Sequence, residues 1–421
     1  MSTAADTLLV DDVRVHRYDN GLVLIMQRMP RLRSAAFSLL LPAGTADEPA
    51  DRLGLASVAV EMMQRGAGAR SSRDVIEDLD FLGVERDSGV SVLHSSFSAA
   101  AIDRYLFDAL AIYTDIVRHA HLPADELDEA QAIALQELAG LQDDPPHVCF
   151  RRLRRLRYGD RFGRDSSGEE DCIPRIAIGD VQDFYRRRLH PNGSVLSIAG
   201  NIDFAETVDR VHSLLGDWES GEAAEKPEIG MSPGYEHIDE ETSQTHIAMA
   251  YDAVPFGHDE YYASRALINI LGDGMSSRLF TEVREKRGLV YSVSASTQTV
   301  ATRSSAVIYA GTTSARAAET LKVIWDAVGS LADGVAEDEL RLLKSRIVSS
   351  LIFEQESCVA QATQNAADWF HRGRIIDSRE VLARFDSLTI DELLEHAASH
   401  PPANRTLVTL GDTPLETADA I

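Results

Sequence analysis

One order of segments runs through this 421-residue chain twice, at a spacing of roughly 220 residues, so the fold must be built from two similar units rather than around one large core. Residues 35–42 (AAFSLLLP) read as a strand followed by an acidic turn and a helix through GLASVAVEMM. Residues 245–255 (THIAMAYDAVP) read as a strand followed by a helix through HDEYYASRALINIL. Farther on, LPADELDEAQAIALQEL at 122–138 matches GVAEDELRLLKSRIVSSL at 334–351. Each opens with acids in a first helical turn, where the positive end of the helix dipole favours them, before an apolar periodic stretch. Each half then closes with a helix, a Pro-containing turn and a strand, at 178–203 and 388–412. The halves therefore read as two homologous α+β lobes, 1–215 and 244–421, joined by an acidic Gly- and Pro-rich linker at 216–243. A cleft between two such lobes is the natural place for a large ligand.

Charge and cysteine usage narrow the partners. With 41 Lys and Arg against 67 Asp and Glu, the net charge of −26 repels nucleic acid phosphates and anionic membrane surfaces. The seven arginines of RRLRRLRYGDRFGR at 151–164 read as an amphipathic helix, with Leu153 and Leu156 on its apolar side and its cations paired with surplus acids. No nucleic-acid motif accompanies them. No apolar run approaches the about 18 residues needed to cross a bilayer, and MSTAADTLLVDD lacks the basic and apolar regions of an export signal. Cys149, Cys172 and Cys358 cannot all pair and form no CxxC spacing, which fits a reducing compartment. The expectation is a cytoplasmic protein with no nucleic-acid and no membrane partner.

Five segments carry a family likeness: DNGLVLIMQRMP at 19–30, PAGTADEP at 42–49, GLASVAVEMMQRG at 54–66, FYRRRLHPNGSVLSIAGNID at 184–203 and SSRLFTEVREKRGLVYSVSA at 276–295. In these the chain resembles the M16 peptidase family of insulinase, pitrilysin and mitochondrial processing peptidase. The resemblance implies a clamshell of two lobes, each a mostly antiparallel sheet with packed helices, enclosing an unfolded peptide. It also implies zinc held by an inverted HxxEH helix in the N-terminal lobe.

That helix is where the chain departs from the family. Aligning GLASVAVEM with the family's GLAHxxEHM puts Ser57 and Glu61 at the two His positions and Val60 at the catalytic Glu position. Positions 57, 60 and 61 share one helical face, which in the family aims two imidazoles at one ion and a carboxylate at its bound water. Here no imidazole is present, and Val60 cannot take a proton from water. The family's third ligand, a Glu about 75 residues farther on, falls at Glu137. Glu61 and Glu137 alone make a poor cation site, so they read as solvated or paired with Arg. The chain is expected to hold no metal of its own and to be inactive as a peptidase alone.

In the C-terminal lobe the resemblance places the family's substrate-gripping Arg and Tyr at Arg284 and Tyr291. A phenol can donate a hydrogen bond to the carbonyl oxygen that gains charge during amide hydrolysis, and a guanidinium can hold a peptide carbonyl. A zinc helix without its ligands beside an intact Arg/Tyr pair is similar to the non-catalytic, M16B-type subunits of bacterial two-chain peptidases. The expected partner is an HxxEH-bearing homologue that holds the zinc, with Arg284 and Tyr291 lent to its site. The alternative is a purely structural or peptide-holding homologue with no role in turnover. Ser277 and Arg278 read as the start of a helix, and YGDRFGRDSSG at 158–168 as the rim of a cleft. His396 and His400, four residues apart with Glu395 beside them, read as a polar helix end rather than a metal site.

Overall fold

The computed structural model describes residues 12–221 and 228–415. Residues 1–11, on which the export-signal reading rests, residues 222–227 of the expected linker, and residues 416–421 lie outside the described residues. The first half contributes strands β1 (Asp12–Arg17), β2 (Val23–Arg28), β3 (Ser34–Leu41), β4 (Glu85–Val90), β5 (Ser95–Ile102) and β6 (Val195–Gly200). Its helices are α1 (Leu55–Met63), α2 (Ser72–Phe81), α3 (Leu106–Arg118), α4 (Leu127–Gln142), α5 (Pro145–Phe162), α6 (Ile178–Arg188) and α7 (Phe204–Leu215). The second half adds β7 (Gly234–Asp239), β8 (Thr245–Ala253), β9 (Val290–Val300), β10 (Arg303–Thr312) and β11 (Thr406–Gly411). Its helices are α8 (Tyr261–Gly272), α9 (Ala317–Asp333), α10 (Glu337–Gln355), α11 (Cys358–Arg372), α12 (Ser378–Ser387) and α13 (Ile390–Ser399).

The duplication is visible in the topology. The order β2-β6-β3-β5-β4 in one sheet is matched by β7-β11-β8-β10-β9 in the other, and β1 is an extra strand on the first. In each sheet the first pair of that order is parallel and the others are antiparallel. Equivalent strands start at 23 and 234, 34 and 245, and 195 and 406, so the repeat is 211 residues, a little shorter than the sequence pattern suggests. The fold is α+β, as expected. The expected linker at 216–243 is shorter than it reads, because GYEHID is β7, an edge strand paired with β11 alone. Its half-buried, polar residues carry no apolar alternation to betray it.

The two compact units are not contiguous halves. One takes residues up to 139, 165–226 and 350–379; the other takes 140–164, 227–349 and 380 onward. Each half therefore sends one helix to the other half's sheet: α11 packs on β3 and β6, and α5 packs on β8 and β11. This differs from the contiguous division 1–215 and 244–421, and the strands supply the reason. In β3, Phe37 and Leu39 face Val58 and Met62 of α1 and Tyr113 of α3, while Ala36 and Leu40 on the opposite face meet Ala362 and Ala366 of α11. In β8, Ile247 and Met249 face α8 and α9, while Ala248 and Ala250 meet Cys149 and Leu153 of α5. Strands covered on both faces read as continuous apolar runs, which made them legible.

Polar anchors fix the exchanged helices. Gln27 of β2 donates to Gln361 of α11 at 2.7 Å and accepts from Asn365 at 2.6 Å. Arg157 of α5 is 1% exposed and donates to Asp252, Ser305 and the Asn404 carbonyl at 2.6 Å and to Thr406 at 3.0 Å. Two other arginines of that run pair with acids on the surface, Arg152 with Glu236 and Arg155 with Asp160. Cys149 and Cys358 are buried thiols and Cys172 is half-buried, with no disulfide among them. Among the described residues no helix is long and apolar enough to cross a membrane.

Candidate functional site

Helix α1 begins at Gly54, whose φ of +101° a side chain would strain. The buried carboxylate of Glu48 accepts from the Gly54 and Ala56 amides at 3.2 and 2.9 Å, occupying the anion-favouring end of the helix. Glu48 lies in PAGTADEP, and sequence reasoning gave it no role; its place six residues before the start of the helix is the signal that points to it. The face presented by α1 is closed to a zinc ion. Ser57 donates to the Ser166 carbonyl at 2.7 Å, so this end of the 158–168 segment lies against α1. Val60 is 6% exposed, in the core. The residues present do not fit a zinc ion.

Glu61 is taken by Arg65. The guanidinium lies 3.0 Å from the Glu61 carboxylate and 3.2 Å from both Glu126 and Glu129, so a protein cation ties α1 to the start of α4. Glu137, farther along α4, is exposed. The Arg-paired reading of Glu61 is thus the observed one, and the Glu61–Arg65 spacing of four residues was its visible signal.

The other element lies in the second unit. Phe280–Glu285 is a stretch of π-helix, a form that is rare and often found at functional sites. Beyond it comes Gly288, in the left-handed conformation at φ +60°, whose carbonyl accepts from Arg316 at 2.7 Å. The chain then enters β9, the edge strand of its sheet. Thr312 pairs with Val290 and Gly311 with Ser292, which leaves Tyr291 as the extra residue of a β-bulge. Bulges re-aim side chains, and Tyr291 is 84% exposed. The Arg284 guanidinium lies 4.8 Å from the Phe280 ring centre and 5.8 Å from that of Tyr291. Lys286 and Arg287 both pair with Glu282, whereas Arg284 has no carboxylate partner among the described residues.

Ser277 and Arg278 have structural work. The Ser277 hydroxyl accepts from the Phe280 amide at 3.4 Å. Arg278 meets Glu339 through two 2.7 Å bonds and also donates to the Ser330 and Gly334 carbonyls. His396 and His400 face Glu260, from the start of α8, and not the neighbouring Glu395 of the sequence reading.

Two family descriptions match the chain: Insulinase (Peptidase family M16) over residues 23–164 and Peptidase M16 inactive domain over residues 175–347. A Mycobacterium leprae protein named an uncharacterized zinc protease is 25% identical over 393 residues, covering 91% of this chain and 88% of its own. The Bacillus subtilis protein YmxG, also named an uncharacterized zinc protease, is 25% identical over 391 residues, covering 90% and 94%. Among solved structures, a peptidase M16 inactive domain from Pseudomonas fluorescens matches with a TM-score of 0.88 at 20% identity, over 96% of this chain and 99% of that one. A protease from Helicobacter pylori matches with a TM-score of 0.87 at 16% identity, over 96% and 100%. At these identities the structural likeness establishes the fold.

Proposed function

Since the chain belongs to the M16 peptidase family, we propose that it is a non-catalytic subunit, without the catalytic zinc, of a two-chain metallopeptidase, lending Arg284 and Tyr291 to the HxxEH site of a homologous partner. The observation that carries this reading is the exposed Tyr291 on its bulge, with the guanidinium of the REKR run that has no carboxylate partner among the described residues beside it. The Tyr291 hydroxyl donates to the carbonyl oxygen of the scissile bond as charge develops there, and Arg284 grips a neighbouring peptide carbonyl. The zinc and the attacking water belong to the partner. The substrate is an unfolded peptide, because a guanidinium and a phenol reading backbone carbonyls need an exposed main chain. The free cysteines support a cytoplasmic, reducing setting for the complex.

Co-expression with an HxxEH-bearing homologue tests the reading. Peptide cleavage by the mixed complex should collapse when Tyr291→Phe or Arg284→Ala is introduced, with assembly unchanged. Unaltered turnover in both variants would assign the chain instead to the purely structural or peptide-holding class.

A further inference from the structure

We propose that Glu260, His396 and His400 form a binding site for a zinc-type divalent transition ion in the second unit, apart from helix α1. Among the described residues, these three are where His, Cys, Asp or Glu side chains bring three ligand atoms within 4.8 Å of one another. His396 lies on α13 and His400 is its C-cap, so their four-residue spacing puts both imidazoles on one side of the helix end. Their rings stack, with centroids 4.5 Å apart and planes at 22°. Both aim Nδ1 at one oxygen, Glu260 Oε2, at 3.2 and 3.1 Å. Glu260 stands at the N-cap of α8, which brings the carboxylate from a distant part of the chain.

The donor spacing suits an ion once the stacked rings turn so that their in-plane lone pairs meet at one point. A tetrahedral zinc site with bonds of about 2.0–2.1 Å has ligand atoms about 3.3–3.4 Å apart, close to the spacing seen between each imidazole and the carboxylate. Two His and one Glu is an established zinc donor set that leaves a fourth position for water. His258 adds a further imidazole near the group, its ring centre 6.0 Å from that of His400. His396 is 6% exposed at its side chain while His400 and Glu260 are 38% and 37% exposed, so one ligand is fixed in the core and two lie open to an arriving ion. The last carbonyls of α13 add the negative end of its dipole beside the cation. Ligation through Nδ1 transfers to Nε2 the proton that each imidazole now turns toward Glu260, and neutral His then serves as the ligand. The ion would clamp the end of α13 to the start of α8.

The test is Co²⁺ titration of the chelator-treated, full-length protein, read by the visible d–d absorption of four-coordinate cobalt and by the thermal midpoint with Zn²⁺. One equivalent should bind, and zinc should raise the midpoint. His400→Ala, at a half-exposed position, and Glu260→Gln should each weaken binding by at least about 100-fold, since loss of even an outer-shell partner costs 10–100-fold. His396→Ala should do the same; if that buried variant fails to fold, His400→Ala alone decides. Glu61→Gln with Glu137→Gln should leave binding unchanged, which separates this site from the family's metal position. Absence of a bound equivalent, or binding indifferent to His400→Ala, overturns the proposal.

Discussion

The guanidinium of Arg284 lies 5.8 Å from the centre of the Tyr291 ring, on a π-helical turn and a bulged edge strand that leave both side chains exposed. A residue that is 84% exposed contributes little to folding, so its removal should be felt in turnover and not in stability. In a complex with an HxxEH-bearing partner, Tyr291→Phe should lower kcat about 100-fold, the effect of deleting one donor to a developing oxyanion. The same variant should melt within about 0.5 kcal/mol of the parent. Arg284→Lys should recover only part of the Arg284→Ala loss, because an ammonium lacks the planar fork. Parallel losses of stability and rate would place both side chains in the packing.

Arg65 holds Glu61, Glu126 and Glu129 with a side chain that is itself 11% exposed. Replacing it with Met leaves three carboxylates facing one another without a cation. The expected cost is about 1–2 kcal/mol in urea unfolding, in line with losing charge-assisted bonds at a half-buried site. High salt should shrink the difference between parent and variant by screening the exposed Glu129. A difference indifferent to salt would mean that Arg65 acts by packing alone.

The repeat was legible because β3 and β8 are covered on both faces, so AAFSLLLP and THIAMAYDAV carry apolar residues on each. The Arg284/Tyr291 spacing was legible for a different reason, lying within one short segment. Three features stayed hidden. GYEHID is an edge strand of mostly polar residues, and the Thr409 hydroxyl of β11 that Tyr235 and His237 meet lies 174 and 172 residues farther on, so nothing local gives a sign of it. Arg157 sits in a run whose cations read as paired with surplus acids, and what buries it is a sheet formed about 100 to 250 residues later in the chain. Glu260 is 136 residues from His396, so the pair read at 396 and 400 lacked its third member until the chain was folded.

His94, in the turn between β4 and β5, should make the protein acid-sensitive. Burial, with a further push from His371, lowers its pKa from 6.5 to about 4, and its Nδ1 is enclosed with no hydrogen-bond partner among the described residues. Burial and then Arg372 lower His371 as well. At His94 the unfolded chain takes up its proton below pH 6.5 while the folded chain resists until about pH 4. Stability is therefore complete above pH 6.5 and falls as the pH drops toward 4, by up to about 3 kcal/mol for His94. Unfolding free energies measured across that window should slope downward toward acid, and His94→Leu should flatten the slope. An equal slope in the variant would assign the effect to other groups.

The exchange of α5 rests on Arg157, the largest of the fully buried side chains, whose donors reach Asp252 of β8, Ser305 of β10, Thr406 of β11 and the Asn404 carbonyl. Tyr158 adds a hydroxyl contact to the same Ser305 at 2.7 Å. Arg157→Met fills most of the volume but strands these acceptors, and should cost about 3 kcal/mol. The loss should be local. Hydrogen exchange should quicken in β8, β10 and β11 and remain slow in β2, β3 and β6, whose covering helix is α11. Arg157→Lys keeps the charge yet reaches fewer of the four acceptors, so its protection should fall between the two. Uniform quickening across both sheets would mean that the units unfold as one and that α5 is not what sets the stability of the second.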